Sequence, residues 1–418
     1  GLEILPVSHE YEMNHGMTLD EIEQMALANN PAIQQASASA HKAMGYRDQV
    51  GKRPNPTIGY NGSQLADVGT DQHSLYFEQE FVRADKLSRN EFVLQKEVQS
   101  QLWEVETQRY RVITDVRLRF YEALAAQRRL ELAAEFYNVA EKGVQIAKAR
   151  QKATEGTRPE VLQAEIQLKQ IVVQRRQAEV KYRGAWKQLM AMAGNSEIPP
   201  GQLIGVLPDS ADSRSWDLVE AELLATSPEL QAARARVARA RAHLDRQQVQ
   251  AVPNVTLMLG AGVDNATNNG FINTQIGVPI PVNNKNTGNI SAAYAEVCRA
   301  SQDVRRIELA IKSRLAKAGQ DYDSAAVAVE QYEQEILPRA QETLDLTESA
   351  YSAGEFSFLQ TLVVRRTFFE TKLEYVAAQT ELAQTQALID GLLLSGGLNG
   401  TQDTEFDSSL RDQSLGGQ

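Results

Sequence analysis

The chain has 418 residues, 42% hydrophobic and 23% charged, with a formal net charge of −11. That balance is ample for a folded core and excludes wholesale disorder. Lysine and arginine are spread through helical stretches with no basic patch among aromatics, which argues against a nucleic-acid partner.

The acidity fits either a solvated helical surface or a preference for cationic cargo. The one cysteine, Cys298, excludes an intrachain disulfide and a thiolate metal cluster; its helical setting predicts a small buried apolar residue. No apolar run reaches the roughly 18 residues of a membrane-spanning helix. The chain opens at Gly1 without a charged segment and apolar core, so a signal peptide is either lacking or already removed.

Residues 1–16 read as an extended polar arm. Its His9, Glu10, Glu12, Met13 and His15 form either a metal-binding cluster or a solvated lead. Thr18 and Glu21 form a capping box ahead of Ile22, Met25 and Ala26, so a helix starts there. Asn29, Asn30 and Pro31 open a second helix, to about Gly51. A hairpin over 55–82 follows. From about Ala84 to Lys152 no proline interrupts a helical pattern, which at about 1.5 Å per residue makes a rod of roughly 100 Å. Glu155, Gly156, Thr157, Arg158 and Pro159 reverse it, and a returning helix from about Glu160 ends near Gly194.

The chain then repeats itself. Pro228 falls on Pro31 and Pro253 on Pro56 at an offset of 197, which becomes 199 beyond the hairpin turn. The first repeat covers 17–208, with its helical hairpin at 84–194, and the second covers 209–394. In the second hairpin, 252–283, Val255, Leu257, Leu259, Ala261 and Val263 share one face; in the return run Ile272, Thr274, Ile276, Val278 and Ile280 share a face opposite Asn273, Gln275 and Gly277. Asp264 to Gly270 makes the turn between them.

The second helical hairpin, 288–394, carries a countable seam. Ile290, Val297, Val304, Ile311, Ala318, Ala325 and Tyr332 recur every seven residues, completed by Leu315, Tyr322, Val329 and Ile336. Pro338 is expected to kink this rod or loosen its hydrogen-bond ladder. Alanines 232, 235, 238 and 242 allow close helix packing. The last helix runs from about Phe358 to Leu394, and the tail, 395–418, is expected to be disordered.

The fold class is therefore mainly α with a small β part: long antiparallel coiled-coil helices, duplicated, with four strands per chain. Strands of this length, apolar on one face, suit a membrane barrel wall, and four cannot close one, so copies must associate. Glu78 and Glu80 alternate with Phe77 and Phe81. They either face a barrel lumen or protect an edge strand with charge.

GKRPNPTIGY, VPNVTLML, VPIPVNNKNTGNISAAYAE and ILPRAQETLDLTESAYSAGEFSFLQTL, set in the duplicated unit, resemble the TolC-type outer membrane efflux proteins. Within them the likeness is nearest to the heavy-metal, cobalt-zinc-cadmium branch. The resemblance implies a homotrimer with a 12-stranded transmembrane β-barrel in outer membrane lipid and a periplasmic α-barrel. It further implies docking onto a periplasmic adaptor (a membrane fusion protein) and an inner-membrane RND-type pump, with heavy-metal cations as candidate cargo. The reversals around Gly156 and Gly354 would be the periplasmic tips. The turns Ala66 to Gln72 and Asp264 to Gly270 would face outside. The tip aspartates common in the family fall on Gln360 and Val363, so that ring is not carried over. Glu155, Glu160 and Glu355 either line the constriction or merely cap helices, and Arg365 and Arg366 either pair with them or are surface charge. No cofactor, metal site or catalytic constellation is expected: the five histidines are scattered and no phosphate loop or nucleophile elbow occurs. A passive exit duct is the leading reading; a soluble periplasmic coiled-coil scaffold and the adaptor itself are the alternatives.

Overall fold

The computed structural model describes residues 16–66, 69–154, 156–353 and 355–400. The His9, Glu10, Glu12, Met13 and His15 cluster, Glu155, Gly354 and the tail beyond residue 400 lie outside the described residues.

In chain order the elements are β1 (Met17–Thr18), α1 (Leu19–Asn29), α2 (Pro31–Val50), β2 (Thr57–Ser63), β3 (Gln72–Phe81), α3 (Lys86–Lys152), α4 (Arg158–Met192) and β4 (Leu203–Ile204). Then come α5 (Trp216–Thr226), α6 (Pro228–Gln248), β5 (Val255–Asp264), β6 (Asn269–Gly277), α7 (Thr287–Gln331), a π turn (Tyr332–Ile336), α8 (Leu337–Ser352) and α9 (Phe358–Asp390). Packing divides them into two compact units, each drawing on both sequence repeats: one holds 35–107 and 226–310, the other 16–34, 108–225 and 311–400.

The first unit carries one antiparallel sheet in the order β2-β3-β5-β6. Strand β6 stops at Gly277, so Val278 and Ile280 do not continue it as the alternation predicts. Pro279 and Pro281 lack the N–H groups a strand needs. Helix α6 packs through Ala232, Ala235 and Ala242, all buried. Around that seam Arg236 donates to Glu104 at 2.6 Å and Asp303 at 3.4 Å, and Arg239 lies 2.9 Å from Glu97, so charged pairs tie α6 to α3 and α7.

In the second unit the predicted capping box starts α1: the Thr18 N–H donates to Glu21 Oε2 at 2.8 Å and the Glu21 N–H to Thr18 Oγ1 at 3.4 Å. Asn30, fully buried, donates its amide to Met192 O at 3.0 Å and accepts from Ala32 N–H at 2.9 Å, which fixes the α1–α2 break against the end of α4. There Gly194 adopts φ +79 with its Cα against Asn29, where a side chain would be strained and would collide. The core gathers Ile22, Phe120, Leu189, Met190 and Trp186. Trp186 is 1% exposed and its indole donates to Ile198 O at 3.0 Å, so its apolar burial, worth about 1.5–3 kcal/mol, leaves no polar group unpaired.

The seam of α7 is present but moves. Ile311, Leu315, Ala318, Tyr322, Ala325 and Val329 are all buried as predicted, whereas upstream the buried line is Ala293, Ala300 and Ile307 rather than Ile290, Val297 and Val304. Two four-residue steps in succession, Ile307 to Ile311 to Leu315, make the shift, a stutter in coiled-coil terms. Cys298 lies off both lines and is exposed, against the expectation of burial. Near the far end the expected loosening occurs as the π turn, where the Leu337 N–H reaches back to Tyr332 O, five residues away, just before Pro338. That turn inserts one residue, so Ile336, expected on the seam, is 40% exposed and Leu337 takes its place.

Helix α9 ends at Asp390, four residues early, because Leu392 and Leu393 take positive φ. The start of the tail is ordered rather than disordered: Gly396 and Gly397 N–H groups donate to Asp115 Oδ2 at 3.0 and 2.7 Å, and Gln108 donates to Gly397 O at 2.7 Å.

Candidate functional site

In an antiparallel sheet, residues directly opposite each other point to the same side. The register Ile58, Phe77, Leu259 and the register Tyr60, Leu75, Ala261, Ile272 therefore assemble one face, extended by Leu257 with Ile276 and Phe81 with Val255. Ile58, Leu75, Ile272 and Ile276 on it are 77%, 65%, 83% and 67% exposed, far more apolar surface on one sheet than a soluble monomer ordinarily leaves open. The other face is mainly polar: Thr57, Glu78 and Gln275 with Met258, then Asn61 and Ser74 with Phe271, then Gln72, Asp264 and Asn269. Glu78 and Glu80 thus lie on the polar face, opposite Phe77 and Phe81 as the alternation predicts. Glu80 accepts from Asn254 Nδ2 at 2.7 Å. Gly59 on the same face has Tyr76 lying over it, leaving no room for a β-carbon. Strands β2 and β6 each keep one unpaired edge.

Sequence reasoning missed a link between the two hairpin turns. Tyr60 Oη lies 2.5 Å from His73 Nδ1, His73 Nε2 lies 2.6 Å from Asp71 Oδ2, and Asn265 donates to Asp71 from both its amide side chain at 2.9 Å and its backbone at 3.1 Å. The His73 contact, then that of Asn265, holds the Asp71 carboxyl below its ordinary value. The signal was a histidine and an aspartate two apart at a turn, legible only once the register placed Asn265 beside them.

The two helix reversals meet in one small core, where Val144, Ala147, Val161 and Ala164 pack with Phe358, and the Arg150 guanidinium lies 5.0 Å from the Tyr351 ring centroid. Both returning helices begin with capping boxes. The Thr157 N–H donates to Glu160 Oε2 at 3.4 Å, and the Ser357 N–H to Gln360 Oε1 at 2.8 Å. The structure therefore occupies Glu160 and Gln360 in capping, with Glu160 beside Gly156. Glu355 is exposed, with its backbone N–H bound to Ala350 O at 2.9 Å. Arg365 and Arg366 do not pair with Glu160 or Glu355: Arg365 is 2.8 Å from Glu348 and Arg366 is 2.8 Å from Glu370 on its own helix. Among the described residues no three His, Cys, Asp or Glu side chains are grouped to hold a metal ion, and no helix is long and apolar enough to cross a membrane.

A two-faced sheet with open edges, joined to helices of up to 67 residues, fits the class of the outer-membrane channel. The outer membrane efflux protein family matches the chain twice, over residues 22–195 and 220–393, and the chain belongs to that family. The cobalt-zinc-cadmium resistance protein CzcC of Cupriavidus metallidurans is 24% identical over 274 residues, covering 66% of this chain and 65% of that protein. In fold the chain is similar to a membrane protein from Pseudomonas aeruginosa, with a TM-score of 0.73 at 18% identity, covering 90% of this chain and 93% of that one. It is similar also to the outer membrane protein VceC of Vibrio cholerae, with a TM-score of 0.71 at 19% identity, covering 90% and 96%.

Proposed function

We propose that three copies of this chain close a twelve-stranded barrel in the outer membrane and that their helices form a periplasmic conduit. The conduit is a passive exit duct for cargo delivered by an inner-membrane RND-type pump through a periplasmic adaptor. The observation that carries this reading is the sheet: apolar on one face, mainly polar on the other, and open at β2 and β6 among the described residues. Backbone groups in lipid must all be paired, so those edges have to meet edges of further copies, and about eight strands is the smallest barrel. Three copies follow the pattern of TolC-type ducts. A soluble scaffold or an adaptor would leave the face of Leu75, Ile272 and Ile276 in water.

On this reading Glu78 and Glu80 face the lumen, and Glu155, Gly156, Glu160, Gly354, Glu355 and Gln360 ring the periplasmic tip. Heavy-metal cations are the cargo that the likeness to CzcC supports. Electron microscopy of detergent-purified protein tests the architecture: threefold particles with a tube of roughly 100 Å, the length of α3, are expected. Monodisperse single chains would end this reading.

A further inference from the structure

Helix α3 starts where β3 leaves the sheet, and α6 ends where β5 enters it. Between them Arg246 is 0% exposed, as is Asn90, and Lys86 is 4% exposed. Arg246 Nε donates to Asn90 Oδ1 at 2.5 Å, but its Nη1 and Nη2 have no hydrogen-bond partner, nor has Asn90 Nδ2 or the buried Nε of Arg89. Arg89 reaches only a backbone oxygen, Asp245 O, at 3.5 Å, and Lys86 is held by Val252 O at 2.5 Å and Asn254 Oδ1 at 3.1 Å. Among the described residues the one buried carboxylate is Glu97, which is committed to Arg239 at 2.9 Å and accepts from Gln101 at 2.8 Å.

A buried cation without a counter-charge is strongly unfavourable, and an orphaned buried donor asks for a bound ion or water. Here Arg246 Nη1 and Nη2, Arg89 Nε and Asn90 Nδ2 are all donors, against one orphaned acceptor, Gln250 Oε1, just past the end of α6. A water can accept about two hydrogen bonds and carries no charge; an anion accepts from more donors and offsets the charge of Arg246 and Arg89. Burial, then the nearby Arg89 charge, pushes the Arg246 guanidinium down to about 10; burial, then Arg246, depresses Lys86, partly offset by the Glu80 carboxylate, so the uncompensated charge is that of Arg246 and Arg89. Because Arg246 is fully enclosed within a single chain, neither a lipid headgroup tethered to its bilayer nor a neighbouring copy can reach it.

We propose that Arg246, Arg89 and Asn90 enclose a small inorganic anion of the halide class, taken up as the chain folds, which joins α6 to α3 beneath the sheet. The site is complete in one chain, so it stands independently of barrel assembly.

Crystals of the detergent-purified protein grown in sodium bromide, with data collected at the bromine absorption edge, should show one anomalous peak per chain within hydrogen-bonding range of Arg246 Nη1 and Nη2. The absence of that peak, or density without an anomalous signal as a water gives, overturns the proposal. In solution the melting temperature should fall when chloride is replaced by gluconate at equal ionic strength. Arg246→Met should abolish that dependence. Asn90→Asp, which supplies a carboxylate in place of the ion, should also abolish it and remain informative where Arg246→Met fails to fold. A halide dependence unchanged in Asn90→Asp refutes the site.

Discussion

Leu259 and Asn273 sit one register apart near the middle of the sheet, Leu259 on the apolar face against Phe77 and Asn273 on the polar face against Gly260. If the apolar face meets lipid, Leu259→Arg places a charge at the depth where it costs about 2–4 kcal/mol. Asn273→Arg stays in a wet lumen and changes stability by no more than about 0.5 kcal/mol. Denaturant unfolding from lipid vesicles measures both, and equal losses would show that the two faces share one environment. A second residue reports on the helical unit. Tyr182 donates to Gly201 O at 2.5 Å, and burial, with a smaller push from Glu131, raises its phenol from 10.0 to about 12. Between those values the unfolded chain has lost a proton that the folded chain keeps, so Tyr182 contributes stability below about pH 10 that drains away as pH rises towards 12. Tyr182→Phe should lose about 1 kcal/mol at pH 8 with the hydrogen bond. It should also show a shallower alkaline decline than the parent, as read from urea midpoints at pH 8 and 11.

At the level of the element, the π turn explains how a broken heptad still makes a seam. Leu315, Tyr322 and Val329 are seven apart, the next step to Leu337 is eight, and Leu344 and Tyr351 resume at seven. One extra residue would rotate everything beyond it by about 100°, and five-residue hydrogen bonding absorbs it instead. Deleting Gln334 should restore a continuous α-helix. Amide exchange over 332–337 should then slow markedly, whereas Pro338→Ala, which leaves the insertion in place, should change it little. The helices, both hairpins, the alternation of Phe77, Glu78, Glu80 and Phe81, and the duplication were legible because each is a local period. The loosening near Pro338 was legible, but its form as a π turn, the stutter at Ile311 and the exposure of Cys298 were not, since each depends on which neighbour the helix meets. The capping work of Glu160 was legible only as an alternative, because a carboxylate three residues into a helix fits a cap and a constriction equally well in sequence, and that of Gln360 was not read at all.

For the whole molecule the outer surface of α4 bears on the number of copies. Ile166, Val173 and Val180 recur every seven residues and are 58%, 54% and 68% exposed, a coiled-coil stripe left uncovered among the described residues. In a closed ring every stripe is covered by the next copy, and the same substitution enters all interfaces at once, so its effect multiplies where a single contact would lose little. Val173→Glu sets a carboxylate in the middle of each stripe, where it must be buried unpaired or hold the copies apart. Light scattering in detergent should find a mass of three chains for the parent and for Gln177→Glu, an exposed change on the same helix, and a fall towards one chain for Val173→Glu. Because neither substituted side chain is buried in the single chain, the far-ultraviolet helix signal should be the same in all three proteins, which separates failed assembly from failed folding. If Val173→Glu keeps the mass of three chains, the ring is held by the strand edges alone and the helices contribute no interface through this stripe.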